Sequence, residues 1–223
     1  MENKGTSVFL DSSSLRALKK MPVDVFDGVY TGEVRDEALI LCIDIRNFSE
    51  FLCSNDENTV FKLLKEFSSN ILSCINQFGF SCSYYKLLGD GALVVWDTAS
   101  QDHVDDAMMV FNEFLDFVNE ELFLPSPHIS LAGALVMEKV FKYEISAEAS
   151  GLKYRDYVGY GINLACRLQT LAEKDQLILN KKLTLTGLIP FTESITPRLH
   201  HHLEHLKGLQ DEDRVKVYMY NRK

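Results

Sequence analysis

The sequence predicts an α+β fold, a mixed β-sheet with helices packed over it, and three observations carry the prediction. Ala38-Leu39-Ile40-Leu41-Cys42-Ile43 is apolar at every position, as a strand buried on both faces requires. Behind Glu57, the residues Val60, Leu63, Leu64, Phe67, Ile71, Leu72, Ile75 and Phe78 recur at helical spacing, a long amphipathic helix that Gly79 would stop. Tyr84 to Trp96 holds two β-forming runs on either side of Gly89-Asp90-Gly91, a hairpin with a carboxylate at its tip. Strand, helix and hairpin in that order suit a sheet with helices laid over one face.

The remaining elements follow in order. Residues 1–36 read as an N-terminal arm, in which Ser12-Ser13-Ser14 can cap a short helix from Leu15 to Met21 before Pro22. Residues 37–223 then make one domain. Ala107, Met108, Phe111, Phe114, Leu115, Val118 and Leu122 trace a second amphipathic helix that Pro125 and Pro127 end. Ile129 to Met137 reads as a strand, with Gly133 marking a bulge or a close approach. Residues 139–156 read as polar and irregular. A helix follows Gly159-Tyr160-Gly161 to about Ala172, and Leu177-Ile178-Leu179 is a short strand. Leu199 to Leu206 and Val215 to Tyr220 are set to form a last hairpin across Lys207 to Arg214.

Composition narrows the function classes. A net charge of −9 over 223 residues argues against general nucleic-acid binding, which needs a basic face. Cys42, Cys53, Cys74, Cys82 and Cys166 are odd in number and form no Cys-x-x-Cys pair, so they read as reduced thiols packed as small hydrophobes. No apolar run nears the roughly 20 residues that span a bilayer, and the start of the chain lacks a signal-peptide pattern. The expectation is a cytoplasmic protein without a membrane span.

Two carboxylates stand out. Asp44 ends the first buried strand, where an unpaired charge is costly, and Asn47 or Ser49 could cap the next helix in its place. Asp90 sits at the hairpin tip. If the first strand pairs beside the hairpin, the two converge, and like charges that close favour a cation between them. Oxygen ligands without His or Cys suit Mg²⁺ or Mn²⁺. Singly, each Asp is more often a turn or cap residue than a ligand. Farther on, Asn163 and Arg167 lie four apart on one helix face, which is either a solvated face or a pair of groups for a ribose oxygen and a phosphate.

Ile43-Asp44-Ile45-Arg46-Asn47-Phe48-Ser49, Lys86-Leu87-Leu88-Gly89-Asp90 and Gly159-Tyr160-Gly161-Ile162-Asn163-Leu164-Ala165-Cys166-Arg167-Leu168 together resemble the three signature motifs of class III nucleotidyl cyclases. They come in that family's order and spacing, from about residue 37 onward. The resemblance implies a ferredoxin-like, palm-like catalytic domain that converts a ribonucleoside triphosphate to a 3′,5′-cyclic nucleotide and pyrophosphate. It implies a homodimer with shared sites and two divalent cations, Mn²⁺ or Mg²⁺, held by Asp44, Asp90 and the Ile45 carbonyl. Asn163 and Arg167 would come from the other subunit to orient the ribose and stabilise the α-phosphate. Phe48 and Ser49 would contact the nucleotide, and Lys207 is similar to the triphosphate lysine. Asn47 stands where the family often has Gly, and Gly91 where Ala is usual; the first tolerates left-handed backbone, and the second should loosen the hairpin slightly.

By the same resemblance, Lys86 and Asp156 select the base. The pair is of the adenylate type: Lys donates to a ring nitrogen and Asp accepts from the exocyclic amine, although cytosine offers a similar edge. A bland alternative is an ion pair between them. The bare design instead resembles freestanding bacterial pyrimidine cyclases of Pycsar-type antiphage systems, which make cyclic UMP or cyclic CMP for a separate effector protein. A catalytically inactive nucleotide-binding or interaction module is the alternative to an enzyme, and loss of an Asp, the Asn or the Arg would mark it. All four are present. His200-His201-His202 with His205 reads as a solvated face rather than a metal site.

Overall fold

A computed structural model describes residues 30–122, 126, 128–147, 152–189, 195–198 and 217–221. Among the described residues, eight strands form one mixed sheet in the order β2-β3-β1-β4-β6-β8-β7, with β5 paired to β4. Their bounds are β1 Tyr30–Arg46, β2 Tyr84–Leu87, β3 Gly91–Trp96, β4 Ser130–Ala147, β5 Leu152–Val158, β6 Gln176–Asn180, β7 Ile195–Arg198 and β8 Val217–Asn221. The helices are α1 (Phe48–Ser54), α2 (Glu57–Phe78), α3 (Gln101–Phe117), α4 (Tyr160–Gln169) and α5 (Lys181–Leu185); a π-helical turn, Val118–Leu122, extends α3.

The chain divides into two compact units. One comprises residues 34–142 with 157–223 and holds most of the sheet and the five helices of the described residues. Its β1 lies between β3 and β4, and β1–β3 and β2–β3 are antiparallel, while β4–β6 is parallel. The apolar run of β1 is buried on both faces as expected, and alternation sends its residues to two separate cores. Leu39, Leu41 and Ile43 pack with Phe67, Ile71, Phe111 and Phe114 of α2 and α3. Ala38, Ile40 and Cys42 pack with Leu164, Ala165 and Leu168 of α4. Helices therefore cover both faces, not one, because the short α4 buries enough apolar surface to close the second side.

Local signals match the observed ends. Asp56 caps α2 by accepting from the Asn58 and Thr59 amides, and the Gly79 N–H closes its last turn on Ile75. Ser100 caps α3. Gly133 marks a close approach rather than a bulge: a Cβ there would sit 3.0 Å from the Cys42 carbonyl and 3.1 Å from Phe111. The final hairpin is present, but β8 pairs with β7 at Ile195–Arg198. The expected strand from Leu199 to Leu206, the Leu15–Met21 helix, the histidine run and Lys207 lie outside the described residues.

The second unit groups Tyr143–Asp156 with the chain up to Glu33. Here the irregular reading of 139–156 is corrected, since β4 continues to Ala147 and β5 begins at Leu152. Polar side chains do not preclude a strand once pairing satisfies the backbone. Arg155 donates twice to Glu144, at 2.9 and 2.7 Å, and the Tyr143 and Tyr154 rings lie 6.0 Å apart. Among the described residues, no helix is long and apolar enough to cross a membrane.

Candidate active site

The register of the sheet brings the two carboxylates together. Asp44 lies opposite Gly91 across the β1–β3 pair, and the Ile45 N–H donates to the Asp90 carbonyl at 3.1 Å. The β2–β3 connection is tight: the Leu88 N–H reaches the Gly91 carbonyl at 2.8 Å, and Gly89 takes φ +82°, a left-handed backbone that favours glycine. Gly91 does not loosen this hairpin. A Cβ at Gly91 would fall 2.6 Å from the Ile43 carbonyl and 3.1 Å from Asp44 Oδ1, so its missing side chain lets β1 and the tip close on each other.

Asp44 is half-buried, and its carboxyl is held above the ordinary range, first by burial and then by the charge of Asp90. The hydrogen bond from Gln169 and the nearby Arg46 oppose this without cancelling it. The site thus has unrelieved negative charge, which a cation would relieve. Its two carboxylates are oxygen donors, which fit a hard divalent ion. Among the described residues no group of three or more His, Cys, Asp or Glu gathers. Water and substrate oxygens would complete the coordination, as is usual for Mg²⁺.

Past Asp44 the chain turns on Asn47, whose φ of 60° is the left-handed conformation expected of Asn at this position. Its side chain does not cap α1; it donates to the His128 carbonyl at 2.8 Å. Phe48 is buried and stacks on Phe51 at 6.1 Å, so its ring belongs to the core and only its backbone is available to a ligand. Ser49 is exposed.

On α4 the two polar residues behave differently from their neighbours. Gly161, Leu164, Ala165, Leu168 and Gln169 are buried, whereas Asn163 is exposed and Arg167 partly so. Neither is among the side chains that hydrogen-bond Asp44. The residue of α4 that does reach Asp44 is Gln169, whose Nε2 donates to Oδ2 at 2.7 Å. Arg46 meanwhile donates to the main-chain carbonyls of Gln169 and, at 2.9 Å, Ala172. Sequence reasoning missed both residues. The available signal was Gln169's place on the apolar stripe of α4, four after Ala165, where a polar side chain must find a buried partner.

Lys86 is exposed on β2. Asp156 belongs to the second unit, where it is buried and accepts from the Tyr154 hydroxyl at 2.7 Å. One cavity of about 420 Å³ lies between α2 and the end of α3, and one of about 300 Å³ lies beside α1; neither is lined by Asp44, Asp90, Asn163 or Arg167.

No family model matches the sequence, and no curated protein does. Solved structures do match. The adenylyl cyclase CyaB from P. aeruginosa is 16% identical, with a TM-score of 0.68, covering 86% of this chain and 97% of its own. The guanylyl cyclase Cya2 is 21% identical, with a TM-score of 0.64, covering 86% and 92%. The guanylate cyclase domain of RhGC from Catenaria anguillulae, solved with GTP, is 16% identical, with a TM-score of 0.66, covering 86% and 100%. The chain has the fold of class III cyclase catalytic domains, a mixed sheet with helices packed on it.

Proposed function

We propose that this protein is a class III nucleotidyl cyclase that converts a ribonucleoside triphosphate to a 3′,5′-cyclic nucleotide and pyrophosphate. The observation that carries the reading is the convergence of Asp44 and Asp90, on a fold shared with adenylyl and guanylyl cyclases. In the reaction the ribose 3′-oxygen loses its proton and bonds to the α-phosphorus while the bond to pyrophosphate breaks. Two divalent cations, Mn²⁺ or Mg²⁺, bound by Asp44, Asp90 and the Ile45 carbonyl, would activate that hydroxyl and neutralise the leaving group.

The chain's own residues then position and stabilise. Arg167 offers a fork of donors to the α-phosphate as its charge redistributes, and Asn163 holds a ribose oxygen. Both project from the side of α4 opposite its core contacts, which supports a homodimer in which each subunit completes its neighbour's site. Backbone groups at Phe48 and Ser49, together with Lys207, serve the phosphates. Lys86 and Asp156 read the base as a donor and an acceptor, a combination suited to a ring nitrogen beside an amino group, as in ATP or CTP. Residues 37–223 are the catalytic domain, residues 1–36 an arm, and a separate effector in the cytoplasm would sense the product.

Incubating the purified protein with each of the four triphosphates and Mn²⁺, with products read by mass spectrometry, tests this. A cyclic nucleotide is expected. Absence of any cyclic product would leave an inactive binding module as the better reading. Dominant cyclic AMP supports base reading by Lys86 and Asp156; dominant cyclic UMP would overturn it and favour an antiphage pyrimidine signal.

A further inference from the structure

Helix α4 runs along β1, and three contacts fix its direction. Gly161 abuts the Ile40 side chain, the Cys166 and Cys42 sulfurs are 3.7 Å apart, and Gln169 reaches Asp44 at 2.7 Å. From residue 161 to 169 a helix rises about 12 Å, and from residue 40 to 44 a strand advances about 13 Å. The two elements therefore stay in step, and Gln169 arrives opposite Asp44. Alternation on β1 puts Ile40, Cys42 and Asp44 on this one face.

Gln169 is held from both ends. Its main-chain carbonyl accepts from Arg46, two residues beyond Asp44, while its side-chain amide donates to Asp44 Oδ2. With a relative exposure of 4%, the side chain has few other places to go. Strand and helix end thus form a closed loop of hydrogen bonds through Asp44, Ile45, Arg46 and Gln169. The other carboxylate oxygen, Oδ1, lies against the backbone at Gly91 beside the hairpin tip.

We propose that Gln169 is a positioning residue: its amide fixes the Asp44 carboxylate with Oδ1 turned toward Asp90, and Arg46 holds the helix end that makes this possible. The same helix carries Asn163 and Arg167, so the clamp ties one site's metal-binding carboxylate to the groups that would serve the neighbouring site. The inference rests on the reading of Asp44 as a metal ligand. An outer hydrogen-bond partner of this kind typically sets metal affinity and activity by about 10–100-fold.

The test is Mn²⁺ binding to the full chain without nucleotide, read from the free Mn²⁺ signal by electron paramagnetic resonance. Gln169→Met keeps the side chain's length and loses its donor; its Kd for Mn²⁺ should rise by about 10–100-fold while Tm moves little. Gln169→Asn keeps the amide but falls short of Asp44, and it should weaken binding similarly, which makes it the variant to read if the first does not fold. A Kd within about twofold of wild type in a folded variant, well short of that range, overturns the clamp whatever the cyclase activity. A wild type that binds Mn²⁺ yet makes no cyclic product from any triphosphate overturns the functional reading, while the ratio of Kd values still decides the clamp. A wild type that does not bind Mn²⁺ overturns both.

Discussion

The two halves of the candidate site are built in opposite ways. Asp44 and Asp90 are brought together by sheet register, enclosed by neighbouring backbone and tied to α4 through Gln169. Asn163 and Arg167 sit on a helix whose other side is fully engaged, and they face away from that packing. The first half can be pre-organised within one chain. The second half has its position fixed by α4 but needs something outside the helix's own core to act upon. The contrast teaches that the two halves are separable parts: under the proposed function the carboxylate half would hold the metals, and the α4 half would serve the phosphates of a neighbouring copy.

The largest effect is expected where the contrast is attacked directly. Asp44→Ala and Arg167→Ala should each lower cyclic-nucleotide formation by at least about 100-fold, the scale of losing a transition-state contact. Mixing the two proteins should restore activity, because one hybrid site keeps both residues. If product measured by mass spectrometry does not recover on mixing, the shared-site arrangement fails.

Stability in the absence of metal gives a sharper view of the Asp44 half. A carboxyl raised above its unfolded value stabilises the fold fully below the ordinary carboxylate pKa, and that contribution is lost as pH rises through the raised value. Metal-free Asp44→Asn should therefore melt higher than wild type at neutral pH, with the gain fading below about pH 4. Mn²⁺ should raise the Tm of wild type and not that of this variant. Equal Tm values for the two proteins across pH would show that neither burial nor the Asp90 charge penalises an ionised Asp44.

Gly91→Ala forces a Cβ into the 2.6 Å gap at the Ile43 carbonyl, and the strain is expected to cost about 1–3 kcal/mol in chemical denaturation. An unchanged midpoint would mean that β1 and the hairpin separate freely. The smallest effect lies on the route into α4. Tyr157 donates to Asp97 at 2.6 Å, tying the end of β3 to the residue two before Gly159. Burial raises the Asp97 carboxyl, but hydrogen bonds from Tyr157, Arg35 and Lys142 outweigh it and leave the group below its ordinary value. Tyr157→Phe should cost about 1 kcal/mol near neutrality. The difference should shrink as pH falls through the carboxylate range, where Asp97 protonates and the stability it supplies is lost.

Much of this was legible in the residues. The unbroken apolar run at 38–43 required a central strand, the stripe from Val60 to Phe78 required a helix, and Gly89 and Gly91 required a hairpin, because each pattern is local and periodic. The extension of β4 and β5 was not legible. Charged residues such as Lys142, Glu144, Lys153 and Arg155 interrupt its apolar positions, and only the pairing of the two strands satisfies their backbones. The second core was also hidden, since α4 is short and its apolar stripe is interrupted by a Gln.

Asp44, Asp90, Asn163 and Arg167 could be singled out from residue type and spacing, since carboxylates after buried strands and polar pairs on a helix face are visible in one dimension. What only the tertiary structure decided is which of them meet. Register placed Asp44 against the hairpin, and the matched rise of α4 along β1 placed Gln169, rather than Asn163 or Arg167, on the carboxylate. Sequence specifies the groups because chemistry depends on residue type. Their partnerships depend on distances between elements far apart in the chain, 125 residues for Asp44 and Gln169, which packing alone sets.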